Sequence, residues 1–266
     1  MESNVVSSGY DAVYEAMPGS PTLRRIWKEK VAGSDYPDDF YHISFLTLPE
    51  LRQLADALNL SPGSKLADLG CGMGGPGLWI AREKQAILSG VDLSAVAIAQ
   101  ATKRAKSLGL HDVSQFSTGT FADSGLAAAS MDAAITVDAL QYAPEKRAAI
   151  WEFARILRPG GRLAFTAFEL AADRVVDVPV LADDPVSDYR PLLEDSGFRV
   201  LEYDQTPAWH ERLVSSFQAV IDAEAVLRDE MGPVATAAML GEMILTLERD
   251  FYRGRVFAVA ERASGR

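Results

Sequence analysis

The period of apolar and polar positions changes several times along the chain, and each change marks a predicted element. Between Phe45 and Leu60 the residues Leu46, Leu48, Leu51, Leu54, Ala55 and Leu58 follow one stripe, which predicts a helix that Ser61-Pro62-Gly63-Ser64 stops. A different rhythm follows. Lys65–Leu69, Ala86–Leu93, Val113–Ser117, Asp132–Val137 and Arg162–Phe168 are short apolar runs that predict strands, with helices predicted over Gly74–Lys84, Ser94–Leu108 and Pro144–Leu157. Strand and helix alternating at this spacing predict a parallel sheet covered on both faces. Beyond Phe168 the rhythm loosens. Glu169–Pro185 is irregular, Ser187–Ser196 predicts a helix, and Phe198–Tyr203 and Arg255–Glu261 predict strands. Two helices, Pro207–Glu230 and Val234–Phe251, fall between strands that could otherwise form a hairpin, which predicts an insertion over the edge of the sheet. The stretch before Asp39 is broken by Pro18, Gly19, Pro21, Gly33 and Pro37 and predicts one helix near Leu23–Val31.

Composition narrows the choice of class. The 266 residues are 48% apolar and 24% charged, enough for one large domain or two small ones. The net charge is −11 and the pI near 4.8, and an acidic surface repels phosphate backbones and anionic membranes alike. Neither nucleic acid nor a membrane is the expected partner. No run of 18 apolar residues offers a membrane span. The segment Met1–Gly9 lacks the basic-then-apolar order of a signal peptide, so a cytoplasmic protein is expected. The single cysteine, Cys71, allows neither an internal disulfide nor a multi-cysteine metal centre, and no metal is expected.

The chemistry concentrates in Asp68-Leu69-Gly70-Cys71-Gly72-Met73-Gly74-Gly75-Pro76-Gly77, where a strand runs through glycines straight into a helix. Glycines there allow positive φ and let a ligand approach the backbone. Gly70, Gly72 and Gly75 satisfy G-x-G-x-x-G, so a dinucleotide site is one reading. Asp92 ends the second strand about 20 residues after the turn, where a carboxylate can accept both ribose hydroxyls. Asp68 lies two residues before the first glycine. A carboxylate there disfavours a pyrophosphate but favours a sulfonium or an ammonium group. A cationic nucleoside such as S-adenosylmethionine therefore fits better than a dinucleotide.

These residues, with Gly90-Val91-Asp92-Leu93-Ser94, Val137-Asp138-Ala139-Leu140-Gln141-Tyr142-Ala143-Pro144 and Leu157-Arg158-Pro159-Gly160-Gly161-Arg162-Leu163, resemble class I S-adenosylmethionine-dependent methyltransferases over about Ser61 to Phe168. Within them the chain looks closest to the branch acting on small molecules such as sugars, sterols and other natural products. The resemblance implies an α/β Rossmann-like sheet of seven mostly parallel strands, order 3-2-1-4-5-7-6, helices on both faces and a helical cap. It divides one domain, 1–266, into a core of about 49–170, 187–206 and 252–263 and cap segments of about 1–48 and 207–251. By the same resemblance Gly70 and Gly72 lie against the methionine part of the cofactor, Asp92 holds the ribose and Leu93 flanks the adenine; Asp68 and Gly74 complete the expected cofactor-binding set. Thr120 and Phe121 fall at the adenine edge and Asp138 near the methionine amine. Thr120 stands where many relatives carry an aspartate and offers only a hydroxyl.

Methyl transfer needs alignment and exclusion of water more than a fixed catalytic triad. Tyr36, Phe40, Tyr41, His42 and Phe45, with Trp209, Phe217, Met239 and Met243, are candidates to wall an acceptor pocket. For a general base the candidates are His42, Glu169 and, less favoured, His210, while His111 falls in a helix-to-strand turn; Tyr142, a further catalytic candidate, stands where related sugar O-methyltransferases often have histidine, which argues against deprotonation of a sugar hydroxyl. The expected activity is methyl transfer from S-adenosylmethionine to a small organic acceptor at O, N or C. A nicotinamide-dependent oxidoreductase and a non-catalytic nucleoside-binding protein of the same fold are the alternatives. Pro207–Asp250 carries three arginines and eight acidic residues, a net −5, so the insertion would repel polyanions.

Overall fold

The computed structural model describes residues 10–176, 178 and 181–264; the Met1–Gly9 segment lies outside them. Seven strands form one sheet in the order β3-β2-β1-β4-β5-β7-β6. They are β1 (Lys65–Leu69), β2 (Ile87–Asp92), β3 (Ser114–Thr118), β4 (Met131–Val137), β5 (Leu157–Leu170), β6 (Phe198–Gln205) and β7 (Tyr252–Arg262). The first five pair in parallel, whereas β7 runs antiparallel to both β5 and β6. Order and direction agree with the expectation drawn from the resemblance.

Side chains alternate between the two faces of the sheet, as a pleated strand requires. Leu66, Ala133, Ile135, Ala164, Phe257 and Val259 pack on one face under α3 (Leu48–Ala57) and α4 (Gly75–Lys84). Ala67, Ala134, Leu163, Phe165, Val256 and Ala258 pack on the other under α6 (Lys146–Ile156) and α7 (Arg190–Asp195). With apolar residues at consecutive positions, the central strands read as continuous runs because both of their faces are buried. The sequence between β2 and β3 forms α5 (Ala95–Ser107), capped by the Ser94 hydroxyl.

A third apolar cluster lies over the carboxyl ends of the strands. It joins Met73 of the glycine turn and Phe168 and Leu170 of β5 to α2 (Pro21–Trp27), α8 (Trp209–Asp222), α9 (Glu224–Met231) and α10 (Pro233–Arg249). A short helix at 10–16, here α1, contributes Val13 to the same cluster. No helix among the described residues is long and apolar enough to cross a membrane.

Four local details differ from the pattern-based expectation. The helix at 45–60 begins only at Leu48, because Thr47 caps it in a reciprocal box with Glu50. The helix expected over Pro207–Glu230 breaks at Ala223 (φ −91°, ψ 8°) into α8 and α9. Arg158-Pro159-Gly160-Gly161 is carried within β5 as an irregularity: Leu157 pairs with Met131, and the register resumes with Arg162 opposite Ala133. Helix α1 sits in a stretch that holds only one predicted helix.

Candidate active site

The chain leaves β1 in a sharp turn in which Gly70 (φ +73°) and Gly72 (φ +50°) adopt the left-handed conformation. A Cβ on Gly70 would come within 2.7 Å of the Phe121 ring and 2.8 Å of the Ala139 Cβ, so two neighbouring loops close on bare backbone. The Gly70 and Cys71 amides donate to the Val91 carbonyl, which ties the turn to the end of β2. Gly74, also left-handed, caps the start of α4.

Asp92 ends β2 beside this turn. Its carboxylate accepts the Gly72 amide at 2.8 Å and the Ser94 amide at 2.9 Å, and each oxygen keeps a lone pair for a ligand. Partial burial raises its pKa against these amide hydrogen bonds. Leu93 follows with 53% of its surface exposed, an apolar platform beside the carboxylate. Asp68 is 2% exposed and presses against the Gly77 backbone, where a Cβ would lie 2.5 Å from its Oδ2. Burial and the nearby Asp92 push Asp68 up to about 8. Among the described residues neither carboxylate has an ion-pair partner.

This charge pattern selects the kind of cofactor the turn can hold. Two carboxylates and an exposed apolar side chain, with no lysine or arginine paired to them, suit a nucleoside that carries positive charge. A pyrophosphate would meet the Asp92 charge and hold Asp68 in its neutral form, whereas a cation favours the ionised one. S-Adenosylmethionine fits the donor set. Thr120 is exposed and forms a turn with Asp123 through its hydroxyl and its amide. Phe121 is half-buried against Gly70.

Helix α1 lies across the turn. The Tyr14 hydroxyl is 3.1 Å from the position a Gly72 Cβ would take, and Asp11 accepts the Ser94 hydroxyl at the start of α5. Tyr10 reaches the opposite side and donates to Glu242 of α10 at 3.1 Å. Tyr142, in the turn after β4, donates to the other oxygen of Glu242 at 2.5 Å. Tyr252 is buried beside them, and burial holds all four phenols well above their ordinary range. Burial also raises Glu242, while its two phenol hydrogen bonds oppose the shift. Cys71 remains a thiol, raised by burial and by Asp68 and Asp92.

Of the predicted residues, the structure brings Asp68, Gly70, Gly72, Gly74, Asp92 and Leu93 together at one turn and sets Tyr142 across from it. Three others are placed differently. The Asp138 carboxylate is spent on a bidentate pair with Arg255, at 2.8 and 3.0 Å, and on the Phe45 amide at 2.7 Å, so it does not present a free charge to a methionine amine. Glu169 reaches across Gly254 of β7 to Tyr203 and Gln205 of β6, at 2.7 and 2.8 Å, away from the glycine turn. Only a residue without a side chain leaves that path open. His42 is held by Ser44 through Nδ1, and burial lowers its pKa to about 4, which removes its strength as a base near neutral pH.

Tyr10, Tyr14, Glu242 and Arg255 are missed by pattern reading, though two carry a faint signal. Glu242 is the only charged residue between Pro233 and Leu247. Arg255 shares its strand face with Phe257 and Val259, two core residues.

Comparison with known proteins agrees with this geometry. Residues 67–165 match the methyltransferase domain family. The chain is 30% identical over 196 residues to the methyltransferase GfsG of Streptomyces halstedii, covering 70% of this chain and 69% of that one. It is 27% identical over 223 residues to the 27-O-demethylrifamycin SV methyltransferase of Amycolatopsis mediterranei, covering 77% and 79%. In fold it is similar to the 4+2 cyclase SpnF, with TM-score 0.73 and 21% identity, over 98% of this chain and 96% of that one. The cyclase shares architecture alone, since one fold serves several chemistries. Sequence relatives and the glycine turn with its carboxylates together decide the family: the chain belongs to the S-adenosylmethionine-dependent methyltransferases.

Proposed function

We propose that the protein methylates a small organic acceptor, at O, N or C, in a water-poor space between the glycine turn and the helices over it. The observation that carries this reading is the pair Asp68 and Asp92, placed at the turn with no cation of their own among the described residues. Gly70, Gly72 and Gly74 would let the backbone approach the methionine part, and Asp68 would face its positive charge. Asp92 would hold the ribose and Leu93 the adenine, with Phe121 and Thr120 at its edge. When bound, S-adenosylmethionine supplies an electrophilic methyl group on a sulfonium.

The chain's own residues supply alignment and cover. Alignment of reacting groups can contribute about 7–11 kcal/mol to lowering a barrier. Tyr10 and Tyr14 of α1, Tyr142, Glu242 and the buried Phe168, Phe217, Met239 and Met243 form the boundary of the acceptor space in this reading. Residues 10–48 and 207–251 act as a cap on one domain, not as separate units. A relative whose name places its methyl on a rifamycin precursor supports a natural-product acceptor.

Two measurements test the proposal. Calorimetric titration should show S-adenosylmethionine binding and no NAD binding; the reverse would overturn the nucleoside assignment. Incubation with methyl-labelled donor and a small-molecule cell extract should give a labelled low-mass product. Label found only in protein or nucleic acid would overturn the small-molecule acceptor.

A further inference from the structure

The mechanism so far uses no group on the helices to move a proton, yet one carboxylate there is built for it. Glu242 lies midway along α10, half-buried, with each oxygen accepting one phenol hydrogen: Tyr142 on Oε1 and Tyr10 on Oε2. Tyr14 of α1 and Tyr252 of β7 lie near enough to feel its charge. No lysine, arginine or histidine pairs with it among the described residues. Tyr14 packs over Gly72 and lies within the field of both Asp92 and Glu242, so it spans the glycine turn and the α10 carboxylate. Glu242 therefore faces the carboxyl ends of the strands, where ligands of open α/β sheets bind.

We infer that Glu242, oriented by Tyr142 and Tyr10, is the proton acceptor for the methyl acceptor, which is an alcohol or a phenol. The inference rests on the small-molecule reading above. One lone pair on each carboxylate oxygen remains after the phenols are counted, and a hydroxyl can donate to it. As the oxygen–methyl bond forms, the hydroxyl proton passes to Glu242, and the O–H electron pair stays on the acceptor oxygen. The methyl–sulfur bond breaks with its pair left on sulfur, so positive sulfonium and negative carboxylate give a neutral thioether and a neutral acid. Charge is cancelled, which a water-poor site favours. The acid returns its proton to water after the product leaves. Burial makes the carboxylate a stronger base than a solvated one and so suits this task. A neutral amine attacks through its own lone pair and has no need of such a group before transfer.

The test compares the full-length wild type with Glu242→Gln and Tyr142→Phe, using methyl-labelled S-adenosylmethionine and the extract fraction that yields labelled product. Glu242→Gln should lower the rate by about 10²–10⁴-fold and abolish the acid limb of the pH profile. Affinities for S-adenosylmethionine and S-adenosylhomocysteine should both stay within about twofold by calorimetry. Carbon-13 labelling of glutamate carboxyls gives a readout without turnover. The resonance lost in Glu242→Gln should titrate above the ordinary glutamate range, and higher still in Tyr142→Phe, which removes a hydrogen bond to the charged form. An unchanged rate in Glu242→Gln overturns the inference, as does label on carbon or nitrogen. Weaker binding of S-adenosylmethionine but not of S-adenosylhomocysteine would make Glu242 a counter-ion instead, and so overturns it too. If Glu242→Gln does not fold, the wild-type resonance decides: a glutamate carboxyl set that titrates wholly in the ordinary range refutes the assignment. A wild type that binds the cofactor but labels nothing small fails the earlier reading, a result separate from a Glu242→Gln protein of full activity.

Discussion

Two pairs of carboxylates sit near the carboxyl ends of the central strands, and they differ in what answers their charge. Asp138 and Glu50 share Arg255, which is fully buried and donates to both, at 2.8 and 3.2 Å. Glu50 also takes Arg212 at 2.9 Å and the Thr47 amide. Among the described residues Asp68 and Asp92 have only backbone amides and neighbouring carboxylates, Asp92 beside Asp68 and Asp11 beside Asp92. The first pair is complete within the protein and ties β4, β7 and α3 into one network. The second is incomplete, and burial raises both members. Motif position gave Asp138 and Asp68 the same role, toward a positive charge. The charge that Asp138 meets is the protein's own; the one that suits Asp68 comes with a ligand.

The largest effect should come from breaking the complete pair. Arg255→Met would leave buried Asp138 without its cation and Glu50 with Arg212 alone, and removal of one partner from a buried pair costs about 3–5 kcal/mol. Urea unfolding at pH 7 should show a loss of that size. Asp138 holds a left-handed φ of +49° at the start of the loop that carries Tyr142, so activity should fall as well. A loss of stability under about 1 kcal/mol would mean that the network is not what fixes this loop.

Breaking the incomplete pair should act on ligand affinity instead. On the proposed ribose role, Asp92→Ala should weaken S-adenosylmethionine binding by about 1.5–3 kcal/mol, the scale of hydrogen bonds to a charged group. That is roughly a 10- to 150-fold rise in Kd by calorimetry. An unchanged Kd would remove Asp92 from the site.

How much of this difference is legible in the sequence depends on distance along the chain. The glycine turn is local: strand, left-handed glycines and the carboxylates beside them are set within some 25 contiguous residues, so pattern and spacing reveal them. Arg255 and Asp138 are 117 residues apart, Arg255 and Glu50 are 205, and Tyr142 and Glu242 are 100. No periodicity reports such pairings. Glu169 shows a second limit. Its place near the end of β5 was legible, but the direction of its side chain depends on the bare Gly254 opposite. The parallel sheet was legible in the strand–helix rhythm and its strand order only through the family resemblance, whereas the split of α8 from α9 turns on one residue, Ala223.

The pH dependence of the incomplete pair sharpens the comparison further. Asp68 has a folded-state pKa of about 8 against an ordinary 3.8. A raised carboxylate favours folding fully below its unfolded value, and this contribution is lost as pH rises through the folded one. Without ligand, stability should therefore decline between about pH 4 and pH 8, and Asp68→Asn should flatten that decline. A bound cation favours the ionised form. Affinity for S-adenosylmethionine should then rise by up to about tenfold per pH unit until about pH 8, with one proton released on binding at pH 7. Calorimetry in two buffers of different ionisation enthalpy measures that proton. Equal heats in both would show that Asp68 does not change its protonation state.

The smallest expected effect lies at the edge of the complete pair. Thr47 caps α3 through the Glu50 amide, while the Glu50 carboxylate takes the Thr47 amide and the two arginines. Glu50 thus belongs both to a local capping box and to a network closed 205 residues away. Thr47→Ala removes the hydroxyl cap and should cost about 1 kcal/mol. The Thr47 amide and both arginines would still hold the carboxylate. If the two roles are independent, Thr47→Ala and Arg255→Met should add within about 0.5 kcal/mol in a double-mutant cycle. A larger coupling term would show that the cap positions Glu50 for Arg255, and that a local signal near residue 47 helps to set the charge balance beneath the active site.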